Sequence, residues 1–237
     1  NISSSFETPT TTELAPLIGT GGGLNWDLKP QTSTSHEIGL KGLISNKYNY
    51  NIAIFRIDTD DEIIGYGSDP KLYVNAGNSI REGVELSLSY LISNSLKADM
   101  AYSYADYRFG DFEINNSSIN YAGNPLPGIP ENTLYMGLSY NKNNFFALFD
   151  FLYTDKLSLR NDNTVSEESS LVSNLRLGYT LKKNDWIVEP FLAITNLGNE
   201  AYLSNARTNA WGGRYYESAP DRSVYAGVSI RHNLNSE

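Results

Sequence analysis

The chain has 237 residues, enough for one large β domain, and it contains no run near the roughly 18 apolar residues that a membrane helix needs. A helical membrane protein is therefore excluded, whereas a transmembrane barrel is not, because its strands alternate and average out as polar. The net charge of −9 argues against nucleic acid as a partner, and the absence of cysteine removes disulfides and thiolate metal sites.

Apolar and polar residues alternate over many short segments, which predicts β-strands with one apolar face. Residues 84–90 (VELSLSY) are typical, and the pattern recurs in residues 37–42, 48–54, 98–104, 134–140, 145–153, 175–181, 189–202 and 224–231. No segment of comparable length has a helical period. The apolar phase shifts by one residue between Phe55 and Ile57, which predicts a β-bulge there.

The connections between these segments alternate strictly between short and long. The short ones are residues 45–47, 93–95, 141–144 and 182–185, and the long ones are residues 14–33, 63–79, 109–131, 157–169 and 203–221. This alternation places all short turns on one rim and all long loops on the other. It predicts an all-β fold, an antiparallel up-and-down transmembrane barrel with about ten strands in this chain. A soluble β-sandwich is the alternative, although such a fold does not usually keep every second loop so long.

The two faces of the predicted strands differ in chemistry. Tyrosines tend to fall near segment ends on the apolar face, as interfacial aromatic belts require. The opposite face is rich in Ser and Gly and carries charges that we expect to line a hydrated interior: Glu37, Lys41, Glu85, Asp99, Arg176, Glu189 and Arg231.

Five segments, in this order and spacing, resemble the barrel of TonB-dependent outer-membrane receptors. They are residues 6–14 with 28–39, residues 53–63, residues 75–85 (NAGNSIREGVE), residues 124–130 (NPLPGIP), and residues 195–202 (TNLGNEAY) with 219–222 (APDR). The resemblance covers essentially the whole chain. It implies that residues 1–237 form the C-terminal half of a plugged barrel of about 22 strands, with the plug and the earlier strands absent.

The resemblance also implies a function and a set of partners. The expected function is energised, TonB-dependent uptake of a ferric siderophore or similar metal chelate in the outer membrane of a Gram-negative bacterium. The expected partners are that chelate, the TonB complex through the absent plug, and outer-membrane lipid and lipopolysaccharide. No cofactor is expected. A self-contained porin-like channel and an outer-membrane hydrolase remain as alternatives.

The last long loop is the best candidate for a ligand site. Arginine offers bidentate contacts to carboxylate or catecholate oxygens, and Trp and Tyr offer stacking and cation–π contacts. The loop supplies Arg207, Trp211, Arg214, Tyr215 and Tyr216, and in the first long loop Trp26 follows a run of Gly19, Gly21, Gly22 and Gly23. Packing of these aromatics loop on loop is the alternative interpretation.

Catalytic and metal chemistry have little support in the sequence. Of the two histidines, His36 shares its phase with Ile38 and should face outward near the rim, and His232 falls in a C-terminal tail. We therefore expect no catalytic residues and no enzyme. Asp58, Asp60, Asp61 and Glu62 have oxygen ligands of the kind that Ca²⁺ prefers, but a solvated rim is the commoner meaning of such a cluster, and no metal site is predicted.

Overall fold

The computed structural model describes residues 1–15, 23–66, 72–112 and 118–233, apart from the side chain of Trp211. Within these residues no helix is long and apolar enough to cross a membrane. The strands that build the main sheet are β1 (Ile2–Glu7), β2 (Gln31–Ile44), β3 (Tyr48–Asp60), β6 (Asn78–Ser93), β7 (Leu96–Phe109), β8 (Asn132–Lys142), β9 (Phe145–Thr154), β12 (Ser170–Tyr179), β13 (Leu181–Lys183), β14 (Trp186–Thr195) and β17 (Ser223–His232). Short strands lie in the long loops: β4 (Ile63–Tyr66), β5 (Leu72–Asn75), β10 (Leu157–Ser158), β11 (Ser166–Glu167), β15 (Leu203–Ala206) and β16 (Tyr216–Ser218).

The main sheet is an antiparallel meander in which each strand pairs with its neighbours in the chain. Its order runs β1, β2, β3, β6, β7, β8, β9, β12, β14, with β13 and β17 both paired to β14. Because β13 continues β12 after a break at Thr180, the sheet has ten wall strands. This confirms the predicted antiparallel up-and-down architecture.

The registers show that the predicted charged set lies on one face of the sheet. Glu85, for example, sits opposite Ala53 on one side and Ser103 on the other, and Asp99 sits opposite Ser89 and Gly137. Directly paired residues share a face. We call this side the charged face and the opposite side the apolar face.

The apolar face exposes large side chains along the whole sheet, including Ile38, Ile54, Leu138, Leu192, Val228 and Ile230. Rings gather on this face next to the short turns, where Tyr48 stacks on Tyr90 with centroids 4.3 Å apart. Trp186 likewise lies 4.5 Å from the ring of His232. A belt of aromatics at the edge of an apolar band is the pattern of a membrane interface.

Asparagine makes the short turns possible. Asn46, Asn143, Asn144 and Asn184 all adopt left-handed φ values between 50° and 69°, a conformation that Asn tolerates better than most residues. The turn residues match the predicted short connections, so the rim assignment from the sequence is confirmed.

Three details of the strand prediction are wrong. The bulge expected at Phe55 is absent, because β3 pairs continuously from Tyr48 to Asp60 with both neighbours. Phe55 faces the charged side instead, where its ring covers Gly83 and meets Tyr107 edge-on at 6.3 Å. The last but one strand ends at Thr195 rather than continuing to Tyr202, and His232 belongs to β17 rather than to a tail.

Candidate functional site

The described parts of the five long connections form one layer at the rim opposite the short turns. We number them loop 1 (residues 8–30), loop 2 (61–77), loop 3 (110–131), loop 4 (155–169) and loop 5 (196–222). The layer leans over the charged face, since Thr59, Ser79 and Phe109, at the loop ends of three strands on that face, are at most 2% exposed. The charged face and the loop layer therefore border the same space.

Loops 1 and 2 are joined by a reciprocal pair of hydrogen bonds. The Asn75 side chain accepts from the Lys29 backbone N–H at 2.8 Å and donates to the Lys29 carbonyl at 3.0 Å. The Asn25 side chain also donates to the Tyr73 carbonyl at 3.2 Å. The Asn75 amide thus forms with the Lys29 backbone the two hydrogen bonds that a neighbouring strand would form, and so joins loop 2 to loop 1.

Loop 2 is anchored to the wall by a part-buried ion pair. Arg81 donates to Glu62 at 2.9 Å and to the Thr59 hydroxyl at 2.7 Å, and Ser79 also donates to Glu62. The two charged side chains are only 23% and 13% exposed. Removing one partner from such a pair leaves the other charge desolvated, so this network fixes the base of loop 2.

Loops 2 and 3 share a small apolar core. Ala76, Phe109, Phe112 and Leu126 are buried together, and Tyr121 packs beside them. The Phe112 and Tyr121 rings lie 4.7 Å apart, and the Phe109 and Phe112 rings 4.9 Å apart. Gly77 approaches Asp111 so closely that a side chain at that position has no room.

Loops 3, 4 and 5 meet at a second junction. Asn124 of loop 3 donates to the Asn161 carbonyl at 2.8 Å, and the Gly128 N–H donates to the Ser158 carbonyl at 2.7 Å. The Asn209 side chain of loop 5 donates to the Asn161 side-chain oxygen at 2.8 Å and accepts from the Asn161 N–H at 3.1 Å. The layer is therefore connected from loop 1 to loop 5.

The candidate ligand residues of loop 5 fall into two groups. Tyr215 is 6% exposed, and its hydroxyl accepts from Arg160 of loop 4 at 3.2 Å, so its ring serves the junction. Tyr216, whose ring meets Tyr215 edge-on, is 50% exposed. Arg207 and Arg214 are exposed, and Trp211 begins the 3₁₀ turn Trp211–Gly213.

In loop 1, Trp26 is 78% exposed. Of the glycine run that precedes it, Gly19, Gly21 and Gly22 lie outside the described residues, while Gly23 has a left-handed φ of 122°. Trp26 and Tyr216 thus present ring faces to solvent, and these are the aromatic surfaces that remain open to a ligand among the candidates with described side chains.

Carboxylates already hold several cations of the layer. Arg207 donates to Glu217 at 2.6 Å, and Lys156 lies 3.4 Å from Glu168. Arg160 donates from Nε and Nη2 to the two carboxylate oxygens of Asp162 at 2.6–3.0 Å. The Arg160 hydrogen bonds hold the pKa of Asp162 well below its usual range, and those from Arg207 lower the pKa of Glu217. Both acids are therefore fully charged at neutral pH.

A cleft of about 310 Å³ separates the end of β7 from loop 4. Its lining mixes charges and apolar groups: Tyr107, Arg108, Ile129, Glu131, Lys156 and Ser158. Arg108 is held by Asp106 in the same strand at 2.5 Å. The cleft is thus a recess in the loop layer, and the charges of the acidic and basic side chains that line it are balanced.

The rim carboxylates that have oxygen ligands for Ca²⁺ are dispersed rather than convergent. Asp58 accepts from Arg56 on the apolar side of β3, whereas Glu62 turns to Arg81 on the charged side. Within the described ranges, no three His, Cys, Asp or Glu side chains come together to hold a metal ion. His36 is exposed on the apolar face opposite Arg56, near the rim as expected.

The junction residues Asn75, Asn161 and Asn209 were not foreseen from the sequence. Each is one Asn among many in polar loops, and nothing in its neighbours marks it as a bridge to another loop. Their only sequence signal is the Asn-rich composition of loops that must satisfy backbone groups away from a regular sheet.

Comparisons with known proteins agree with this architecture. The family model described as "TonB dependent receptor-like, beta-barrel" matches residues 1–197. The probable TonB-dependent siderophore receptor PiuA of Acinetobacter baumannii is 26% identical over 219 residues, covering 88% of this chain and 28% of that protein. The iron-regulated outer membrane virulence protein of Vibrio cholerae is 27% identical over 158 residues, covering 59% of this chain and 23% of that protein.

Solved structures show the same fold. The ferric-catecholate import receptor Fiu of Escherichia coli K12 superposes with a TM-score of 0.73 at 20% identity, covering 98% of this chain and 32% of that one. The siderophore receptor PiuA of A. baumannii gives a TM-score of 0.71 at 24% identity, covering 97% of this chain and 34% of that one. The chain spans about a third of the length of these proteins. With the family model matched over residues 1–197, the chain belongs to the TonB-dependent receptor-like β-barrel family.

Proposed function

We propose that this chain forms part of the wall of an outer-membrane receptor and, with its loop layer, part of the receptor's mouth. The receptor takes up a ferric siderophore or similar metal chelate with energy supplied through TonB. On this proposal residues 1–237 form the C-terminal part of the barrel domain, and the complete receptor also contains a plug that contacts TonB. The observation that carries the proposal is the loop layer, which is interlocked from loop 1 to loop 5 and borders the charged face.

The physical role of each surface follows from its chemistry. The apolar face with its aromatic belt contacts outer-membrane lipid, and the rim outside it meets lipopolysaccharide. The charged face lines a hydrated lumen too wide to be filled by its own side chains. The exposed rings of Trp26 and Tyr216, with Arg207, Trp211 and Arg214 from the same loop as Tyr216, form the ligand surface, and the buried ring of Tyr215 supports it from below.

The names of the relatives support the ligand class. PiuA is described as a siderophore receptor and Fiu as a ferric-catecholate import receptor. A receptor role is also consistent with the loop layer, because its polar side chains form hydrogen bonds and ion pairs within and between loops. We propose no catalytic residues and no resident cofactor.

Uptake of radioactive iron by whole cells tests the proposal. Cells that produce the receptor as their sole ferric-chelate importer are given ⁵⁵Fe-loaded chelates of the hydroxamate and catecholate classes. We expect saturable binding in the cold and uptake at growth temperature that stops when an uncoupler collapses the proton-motive force. Absence of saturable binding for every chelate class, or uptake that is indifferent to the uncoupler, contradicts the proposal.

A further inference from the structure

Charge is distributed unevenly between the two rims of the wall. The five loops contain fifteen of the chain's 27 acidic residues and seven of its 18 basic residues, so they carry −8 of the net charge of −9. The short turns are instead rich in basic residues, with Lys47, Lys142, Lys182 and Lys183 in or beside them. The loop rim is therefore the source of the protein's negative field.

Four of the seven basic residues of the loops already pair with a carboxylate of the same layer. Lys29, Lys156, Arg160 and Arg207 each lie within 4.0 Å of a carboxylate of the same layer. Arg160 and Arg207 have the planar donors suited to an anionic chelate, and both donate from Nε and Nη2 to a carboxylate, that of Asp162 and that of Glu217. An anion that binds the Nε and Nη2 edge of either arginine must displace a carboxylate that remains charged, because the hydrogen bonds from those arginines lower the pKa values of both acids.

The two exposed aromatic rings give a second indication of the charge of the ligand. Trp26 is 78% exposed and Tyr216 is 50% exposed. The face of an aromatic ring attracts cations and ammonium groups, most strongly for Trp. In a negative field such rings select for a ligand that carries positive charge or none.

We infer that the ligand of this mouth is a metal chelate that is neutral or cationic at neutral pH, rather than a multiply charged anion such as a ferric tris-catecholate. The inference rests on the proposed function and specifies its substrate. A mouth walled by low-dielectric protein keeps potentials of several kT, which enrich ligands of the favoured sign by about tenfold or more. This effect weakens as salt shortens the Debye length to about 8 Å.

A charge-matched series of ligands tests the inference. Two chelate cores, a linear ferric trihydroxamate and a ferric catecholate, are each prepared with a free terminal amine, with the amine acetylated and with it succinylated. Binding to the receptor in detergent is measured at about 20 mM and about 500 mM salt. Within whichever core binds, we expect the amine form to bind about five- to tenfold more tightly than the succinyl form at low salt, with the gap closing at high salt.

The outcomes separate the two claims. Equal affinities, or tighter binding of the succinyl form, overturn the charge inference while leaving the receptor function intact. Failure of both cores to bind at either salt concentration removes the proposed function and the inference with it. As a variant test, Glu167→Gln combined with Glu168→Gln narrows the gap between amine and succinyl forms, whereas Asp185→Asn in a short turn leaves it unchanged.

Discussion

Asn161 and Asn209 hold each other through two hydrogen bonds, one between their side chains at 2.8 Å and one from the Asn161 N–H to the Asn209 side chain at 3.1 Å. Asn161 is 7% exposed and sits beside Leu159, which is completely buried. The pair joins loop 4 to loop 5, and the Asn209 N–H also donates to the Leu159 carbonyl at 2.9 Å. The position of the proposed ligand surface on loop 5 thus depends on loop 4.

Replacing Asn209 by Ala should loosen both loops. It leaves the buried Asn161 amide without its partner, at a cost of about 1–3 kcal/mol in local stability. Hydrogen–deuterium exchange should show faster exchange in loops 4 and 5 and unchanged exchange in β6 and β7. Asn141→Ala, at an exposed position beside a short turn, is the matched control. Equal protection of loop 5 in both variants contradicts the role given to the pair.

The same junction should be insensitive to mild acid. The pKa of Asp162 is lowered by its hydrogen bonds from Arg160, so its contribution is present above its ordinary pKa of about 4. It is lost only as the pH falls through the lowered value. After correction for intrinsic exchange rates, loop 4 and loop 5 should be equally protected at pH 8 and pH 5. Asp162→Asn should lower that protection at both pH values, and a loss of protection in the unmodified protein at pH 5 contradicts this account.

Gly83 should not tolerate a side chain. A methyl group there lies 2.5 Å from the Phe55 ring and 2.6 Å from the Tyr104 carbonyl oxygen, and the latter is backbone that does not swing aside. Gly83→Ala is expected to destabilise the wall by about 1–3 kcal/mol through overpacking. Gly198→Ala, where the added methyl group has nothing within 4 Å, is the control. Urea unfolding in detergent compares the two, and equal midpoints contradict the close packing of Phe55 on Gly83.

Trp26→Ala and Tyr216→Ala should each weaken chelate binding without affecting stability, since both rings are largely exposed. Loss of one stacking or cation–π contact is worth about 0.5–2 kcal/mol, or roughly two- to thirtyfold in affinity. Tyr179→Ala removes a ring of similar exposure from the apolar face beside a short turn and should leave affinity unchanged. Titration of the receptor with a chelate that the ⁵⁵Fe experiment shows it to bind measures all three. Unchanged affinity in both loop variants removes these rings from the ligand surface.

The wall was predictable from the sequence because its two determinants are local. Alternation such as that of residues 84–90 fixes which face each side chain takes, and Asn-containing turns such as residues 182–185 fix where the chain reverses. The wrong bulge at Phe55 has a local cause as well. In the sequence, a large apolar residue on the charged face cannot be told from a one-residue shift of the alternation. In the structure, the Phe55 ring fills the space that Gly83 of the neighbouring strand leaves by having no side chain.

The loop layer was not predictable in the same way. Its small hairpins are too short to show a period, and its junctions join residues far apart in the chain, as with Asn75 and Lys29 or Asn161 and Asn209. The burial of Tyr215 and the engagement of Arg207 by Glu217 likewise depend on packing between segments. Composition identified loop 5 as a candidate mouth, but only the contacts distinguish its anchors from its open surface.

The central claim is that one face of this wall meets lipid and the other meets water. A nitroxide is attached to a single cysteine introduced at each of positions 84 to 89 in β6 of the receptor in lipid bilayers, and this part of the receptor has no cysteine of its own that would be labelled. The account predicts that collisions with oxygen are highest at Val84, Leu86 and Leu88, and that collisions with a water-soluble nickel chelate are highest at Glu85, Ser87 and Ser89. A profile without this two-residue period, or one with the two sets exchanged, contradicts the account.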